Sequence, residues 1–472
     1  MTSDNADSVS ILVPSGMLGA GFPEETIARG IDLGADVIAV DGGSTDSGPY
    51  YLGASKPKTT AAAVARDLRI LLRAAAGAGI PLVVGSCGTS GTDDGVDWVA
   101  GIVADLLAEE GLSMKVARIY SEQRAADLKE PLEAGRVHPL PPLGDLDVAT
   151  LEDCTHIVAM MGHEPIAEAL AAGAQVVLAG RATDTANAAA YALLKGMPAG
   201  PSWHAAKIVE CGGQCTTNPR AGGVFATVDR TGFTIEPLDE SAACTPISVA
   251  AHMLYETANP YLMREPDGTL DVRDAVYTAL DDRRVRVEGS RFHHAEQHTN
   301  KLEGARITGY ETMSFTAIRD PLILKDIEGW ASLMHLVFTE RVEQTLGLTR
   351  DDYDYDLRLY GYDAVLGDLD PSTEPPREVG VMLLVRAADQ ALATAVAKVA
   401  NPLMLHLPAQ DMDYLPSLAF PGSPAEVERG AAYEFVLNHA VDSITPTAMF
   451  RTEFSTEFST QFSTQIGEKN DA

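Results

Sequence analysis

The chain has 472 residues, 46% hydrophobic and 22% charged, enough apolar material for two or three packed domains and too much for intrinsic disorder. Its 67 acidic residues against 35 basic ones leave a formal net charge of -32, which repels phosphate backbones and anionic headgroups and so argues against nucleic acid and membrane surfaces as partners. Five cysteines, an N-terminus lacking a basic or apolar leader, and no apolar run near the roughly 20 residues that span a bilayer predict a cytoplasmic protein.

Over the first 200 residues, short apolar runs alternate with helical patterns. The runs 9–13, 36–40, 81–85, 114–117, 156–160 and 175–179 are too short for amphipathic helices and read as strands buried on both faces. Between them, 24–33, 59–76, 96–110, 122–128, 165–172 and 184–195 read as helices. The second of these opens on the candidate caps Thr59 and Thr60 and meets Gly77 at its end. Strand–helix alternation at this spacing predicts an α/β domain over 1–203 with a doubly wound, mostly parallel sheet.

From Trp203 the rhythm changes. Strand-like runs at 206–210, 224–228, 233–236, 284–288, 306–318, 356–360 and 379–385 mix with helical patterns at 247–257, 329–346 and 389–399. They predict a second, α+β domain over 204–445, divided near residue 350. The proline-rich, acidic stretch 366–377 reads as an exposed loop. Residues 446–472 form a low-complexity tail in which Phe454, Phe458 and Phe462 recur every four residues; as a helix it would present one aromatic face, and as composition alone it reads as flexible.

In an open parallel sheet, ligands bind beyond the carboxyl ends of the strands. This chain places glycine, hydroxyl and acidic residues there repeatedly: Ser15, Gly16 and Gly19 after the first strand; Asp41, Gly42, Gly43, Ser44, Thr45 and Asp46 after the second; Cys87, Gly88 and Thr89 after the third; His163 after the fifth; Arg181 and Asp184 after the sixth. Glycine lets backbone N–H groups approach a ligand, and a following helix N-terminus favours an anion. Asp41 and Asp46 are candidate acid/base groups, as is Glu210 in the segment 210–215, and Arg181 is the candidate anion-binding fork. The bland alternatives are turn-capping for the aspartates, a salt bridge for Arg181, and packing for Cys87 and His163. His293, His294, Glu296 and His298 are the one local cluster of metal-ligand types, without the His-Glu-x-x-His register of a helix; a divalent metal is thus a candidate cofactor.

With these loops in place, the chain resembles the acyclic terpene utilisation (AtuA-like) family. The similar stretches are the glycine-rich loop after the first strand, residues 82–91 and 112–119, Gly180-Arg181-Ala182-Thr183-Asp184 against the family's Gly-Arg-x-x-Asp element, residues 207–214 against its Glu-Cys-Gly segment, and 246–260 with Leu254-Tyr255-Glu256 and Asn259-Pro260. Residues 282–289, and more weakly 360–399, extend the likeness over most of the chain. The loop after the second strand, the histidine segment and the Phe-Ser-Thr tail depart from the family pattern. The resemblance implies catabolism of branched terpenoid acids through coenzyme A thioesters, with coenzyme A as part of the substrate, and a small protein partner. The expected activity is that of a lyase or hydratase on a branched carboxylic acid or its thioester, in a homo-oligomer, with Asp41 or Glu210 moving the proton and Arg181 holding the anion. A non-catalytic small-molecule-binding subunit and a metal-dependent hydrolase using 293–298 are the rival readings.

Overall fold

A computed structural model describes residues 7–455 apart from 221, 372, 373 and 411. These residues form two compact units, one built from the chain up to Arg306 and again from Phe435, the other from Ile307–Glu434. In chain order the first unit runs β1 (Ser8–Val13), α1 (Glu24–Asp32), β2 (Val37–Asp41), α2 (Pro49–Gly53), α3 (Ala61–Ala78), β3 (Leu82–Gly85), α4 (Asp93–Glu110), β4 (Val116–Tyr120), α5 (Ala125–Glu133), β5 (Val137–Pro139), α6 (Val148–Asp153), β6 (His156–Met160), α7 (Glu164–Ala171), β7 (Val176–Ala179), α8 (Ala186–Leu194) and α9 (Ala199–Val209). It continues through β8 (Val224–Asp229), β9 (Gly232–Pro237), α10 (Pro246–His252), β10 (Leu262–Glu265), β11 (Gly268–Asp271), β12 (Val276–Ala279), β13 (Val285–Glu288), β14 (Arg291–His294) and the start of β15 (Thr299–Ile318).

The fold is mixed α/β, with a largely parallel sheet in the N-terminal part and further sheets beyond it. The main sheet has ten strands in the order β12-β13-β9-β8-β1-β2-β3-β7-β4-β19, where β19 is Arg451–Ser455. Its centre, β1-β2-β3-β7-β4, is parallel; β8, β9, β13 and β12 extend one side antiparallel, and β19 closes the other. The alternation of side chains along each strand feeds two cores. Val9, Ile11, Val37 and Ala39 face α8 and α9, whereas Leu12, Ile38, Val40 and Val84 face α1, α3 and α4. Alanines 188, 189, 190 and 192 of α8 are all but sealed from solvent, because only short side chains let a helix sit that close to the sheet.

The helix caps follow local chemistry. Thr60 Oγ1 accepts from Ala63 N–H and Thr92 Oγ1 from Gly95 N–H, opening α3 and α4. The former helix ends at Gly79 in the left-handed region (φ +68°) rather than at Gly77, two residues earlier.

Three sequence expectations need correction. Residues 206–210, read as a strand, belong to α9; every residue from Gly200 to Val209 is buried, and a short apolar run has the same pattern whether it is a buried strand or a buried helix. Residues 156–160 do form β6, but outside the parallel set: β6 pairs antiparallel with Lys301–Ala305 of β15 and meets the loops beyond the parallel strands through isolated bridges, Val158–Glu122 and Met161–Ala182. The C-terminal segment is not helical through Phe454. Its Arg451–Ser455 stretch is an edge strand on β4, with Phe454 opposite Ala117; Phe458 and Phe462 lie outside the described residues. The position 203/204 falls inside α9.

The second unit comprises the rest of β15, α11 (Pro321–Lys325), α12 (Ile327–Leu346), β16 (Tyr353–Tyr360), β17 (Val379–Ala387), α13 (Gln390–His406) and the start of β18 (Glu426–Asp442). In it β17 lies between β15 and β16, antiparallel to both. The strict in–out alternation of β17 turns Val379, Val381, Leu383 and Val385 onto one core. There they meet Trp330, Met334, Phe338 and Val342 of α12, spaced four apart along one helix stripe. No helix among the described residues is long and apolar enough to cross a membrane.

Candidate functional site

Because β1, β2, β3 and β7 run parallel and in register, their carboxyl ends reach one edge, and backbone bonds lace the loops there together. Leu18 N–H donates to Asp41 O (2.8 Å), Gly42 N–H to Gly85 O (2.7 Å) and Ser86 N–H to Gly180 O (3.0 Å). A Cβ on Gly42 would stand 2.6 Å from Gly85 O, and one on Gly43 (φ +139°) 2.6 Å from Thr89 Cα. These two glycines are therefore needed for loop-to-loop packing.

Over this edge opens a cavity of about 610 Å³. Ser15, Gly16, Asp41, Gly43, Ser44, Asp46 and Asp184 line it, joined by Lys58, Cys211, Gln214, Arg220, Tyr255 and Glu256. Four carboxylates thus face two cations. Lys58 Nζ donates to Ser47 Oγ (3.0 Å), and Arg220, exposed, has no partner among the described residues.

Of these carboxyls Asp41 is buried and Asp184 half-buried. Asp41, 8% exposed, accepts from Gly43 N–H at 3.2 Å and from Asn187 Nδ2 at 3.4 Å. Burial, reinforced by the charge of Asp184, pushes its pKa well above the ordinary aspartate value, although Arg181 pulls the other way. Asp184 is raised as well, by burial first and by Asp46 and Glu256 after it, with Arg181 again opposing.

Arg181 connects this pair to the interior. Its Nε donates to Glu303 Oε2 at 2.9 Å, and its terminal nitrogens reach Ser86 Oγ and Thr45 Oγ1, both at 3.3 Å, with Asp184 Oδ1 at 3.5 Å. Burial works against its charge, but Glu303 and Asp184 more than offset that and leave its pKa raised. Burial likewise disfavours the Glu303 anion, yet Arg181 and Lys301 outweigh it and hold the carboxyl down at about 2. The guanidinium is consequently already paired and lies outside the cavity wall. The expectation that it binds the substrate anion is not met by this geometry.

Glu210 also lies outside the wall. Buried at the end of α9, it is paired with Lys207, whose Nζ donates as well to Tyr255 O (3.1 Å). Burial pushes Glu210 up to about 8 despite that lysine. The glycine loop after β1 is occupied too: the N–H groups of Gly19 and Gly21 donate to Asp67 Oδ2 of α3, at 2.8 and 3.1 Å, so Gly19 offers nothing to a ligand.

Other predicted residues disperse. Gly42, Thr45, Gly88 and Thr89 sit behind the lining. Cys87 is fully buried in the core, and burial raises its thiol pKa further, so no thiolate is on hand. His163 follows β6, which is not in the parallel sheet, and packs edge-on against Trp203 (5.6 Å) instead of lining the cavity. His293 and His294 are consecutive on β14 and point opposite ways: His293 Nε2 lies 3.3 Å from Asp271 Oδ2, and His294 Nδ1 is 3.8 Å from Asp267 Oδ2. His298 Nε2 lies 3.2 Å from Glu164 Oε1, and Glu296 is exposed, so the four do not converge on one point. Among the described residues two other sets could hold a metal: Glu210, Cys211 and His252, and His163, Glu164 and Asp267.

Sequence reasoning missed Lys58, Arg220, Lys207 and Glu303. It quoted Tyr255 and Glu256 only as part of a resemblance. An Arg-Asp pair three residues apart at a strand end was the one available pointer, since a buried arginine requires a carboxylate partner somewhere.

No curated protein and no solved structure matches this chain significantly. A family model described as acyclic terpene utilisation family protein AtuA matches residues 52–417.

Proposed function

The chain belongs to the acyclic terpene utilisation family, a family of catabolic function, and from that premise we propose that it is a lyase or hydratase for a branched carboxylic acid or its coenzyme A thioester, working in the cavity at the strand ends. The observation that carries the reading is the pair Asp41 and Asp184: one buried and one half-buried carboxyl at one cavity, both with raised pKa and both biased by one arginine. Groups of that kind hold and move protons near neutral pH.

In this mechanism Asp41, the deeper carboxyl, carries the proton, and Asp184, within 3.5 Å of the Arg181 guanidinium, is the anion. For hydration, Asp184 takes a proton from water as its oxygen bonds to the β-carbon, and Asp41 delivers its proton to the α-carbon; the double bond is consumed. Elimination is the same path reversed. Lys58 and Arg220 hold the substrate's anionic end, a role that passes to them because Arg181 is committed to Glu303. Arg181 positions and polarises the pair.

The test uses the full chain with branched unsaturated carboxylic acids, free and as coenzyme A thioesters, in deuterated water. Solvent deuterium should enter the α-carbon with wild-type protein, and Asp41→Asn and Asp184→Asn should each lose about 10²–10⁴-fold in rate while retaining substrate binding. Binding without any exchange in the wild type would instead identify a non-catalytic binding subunit.

A further inference from the structure

Three buried side-chain atoms without a hydrogen-bond partner lie together away from the cavity: His163 Nδ1, Glu164 Oε2 and Asp267 Oδ1. Buried polar atoms are nearly always satisfied, so a group of orphans at one place calls for a missing partner. His163 and Glu164 follow β6 at the start of α7, and Asp267 sits at the tip of the β10–β11 hairpin. Their donor atoms all fall within 4.8 Å of one another, and His163 Nδ1 stands 3.5 Å from Glu164 Oε2 without bonding to it. The side chains are 14–18% exposed, deep enough to be dehydrated and open enough for a small ion to enter.

We propose that His163, Glu164 and Asp267 bind a divalent transition-metal ion, zinc or manganese, through one imidazole nitrogen and two carboxylate oxygens. One imidazole with two carboxylates suits these ions better than magnesium or calcium, which favour all-oxygen shells. Donors on one such ion stand roughly 3–3.5 Å apart at bond lengths of about 2.0–2.2 Å, so binding draws the widest pair together. His298 completes the arrangement from outside: its Nε2 is 3.2 Å from Glu164 Oε1, which leaves Oε2 for the ion and orients the carboxylate.

The second potential ligand set, Glu210, Cys211 and His252, also has an unpartnered nitrogen, His252 Nε2. It differs in one respect that decides against it: the Lys207 ammonium already occupies Glu210, placing a positive charge where the ion would go. Among the described residues, histidines alone make the ion-pair contacts of Glu164 and Asp267.

The location gives the ion a mechanical role. Glu265, two residues before Asp267, accepts from Thr183 Oγ1 at 2.9 Å and from Thr185 Oγ1 at 2.6 Å, the residues on either side of Asp184. An ion that fixes the hairpin tip to the start of α7 therefore braces the Asp184 loop. The binding claim itself does not depend on the acid–base reading of Asp41 and Asp184.

The experiment is titration of chelator-treated full-length protein with zinc chloride and with manganese chloride, followed by calorimetry, elemental analysis after desalting, and thermal melting. One equivalent should bind with at least one of the two ions, and the melting temperature should rise with it. Asp267→Asn and His163→Gln should each weaken that binding by about tenfold or more, while Cys211→Ser leaves it unchanged. If Asp267→Asn does not fold, His163→Gln and Glu164→Gln carry the comparison. Absence of saturable binding by either ion would overturn the proposal. So would unaltered affinity in both His163→Gln and Asp267→Asn, or loss of binding in Cys211→Ser alone.

Discussion

Arg181 and Glu303 are 122 residues apart in the chain, and meet through a 2.9 Å bond from Nε to Oε2 with both side chains about 5% exposed. One end of the pair comes from the loop after β7 and the other from β15, so the contact fastens a strand outside the main sheet to the edge where the cavity lies. Thr45 Oγ1 donates to the same Glu303 oxygen at 3.0 Å, and Lys301 Nζ holds the other at 2.7 Å.

Removing one partner of such a pair strands a buried charge. Glu303→Gln should cost about 3–5 kcal/mol of stability, read as a lower denaturation midpoint in urea. The double variant Arg181→Met/Glu303→Leu should cost much less than the sum of the single changes. The pH dependence has a definite sign. Glu303 has a depressed pKa, so its contribution is complete above the ordinary glutamate value of 4.5 and is lost as pH falls through about 2. A midpoint for Glu303→Gln equal to wild type at pH 7 would show that the pair carries no stability.

Glu210 behaves in the opposite sense. Burial raises it to about 8, so the folded state holds its proton more tightly than the unfolded chain does. Its contribution is complete below about pH 4.5 and disappears as pH rises through about 8, a change on the order of a few kcal/mol. Melting curves from pH 5 to 8.5 should show wild type losing stability relative to Glu210→Gln as pH rises. Parallel curves for the two proteins would mean that Lys207 keeps Glu210 ionised throughout.

The difference between what was legible and what was not follows from the range of the interactions. Asp41, Ser44 and Asp46 could be placed at a sheet edge because an apolar run ending in polar residues is a local signal, and the strand that makes it, β2, is buried along its whole length. Glu303 carries no such signal. It is one acid in a 20-residue strand that crosses from one compact unit into the other, and only folding brings it to Arg181. His163 was assigned to the same edge on the assumption that β6 joins the parallel set. The run His-Ile-Val-Ala-Met fits either sheet equally, and its partner, Lys301–Ala305, lies more than 140 residues downstream. The histidines at 293 and 294 illustrate the converse error, since neighbours along a strand face apart. Lys207 was hidden by reading α9 as a strand, which also disguised its three-residue spacing from Glu210 as an alternation rather than a helical pair.

The Asp41–Asp184 relationship can be tested without knowing the substrate. Asp41 is raised by burial first and by the Asp184 charge second, while Arg181 lowers it. In Asp184→Asn the second contribution vanishes, so the Asp41 pKa should fall towards the ordinary aspartate range, by an amount visible in a titration of ¹³C-labelled carboxyl resonances. Asp46→Asn should not lower Asp41, because Asp46 raises Asp184 and its removal leaves the Asp184 charge more fully in place. If Asp41 is the proton donor, its useful form is the protonated one, and activity declines as pH rises through its pKa. Lowering that pKa must then move the alkaline limb of the pH–rate profile to lower pH in Asp184→Asn, in whatever activity survives. An Asp41 resonance that titrates identically in wild type and Asp184→Asn would mean that the two carboxyls do not sense each other, and would leave burial alone to account for the raised pKa.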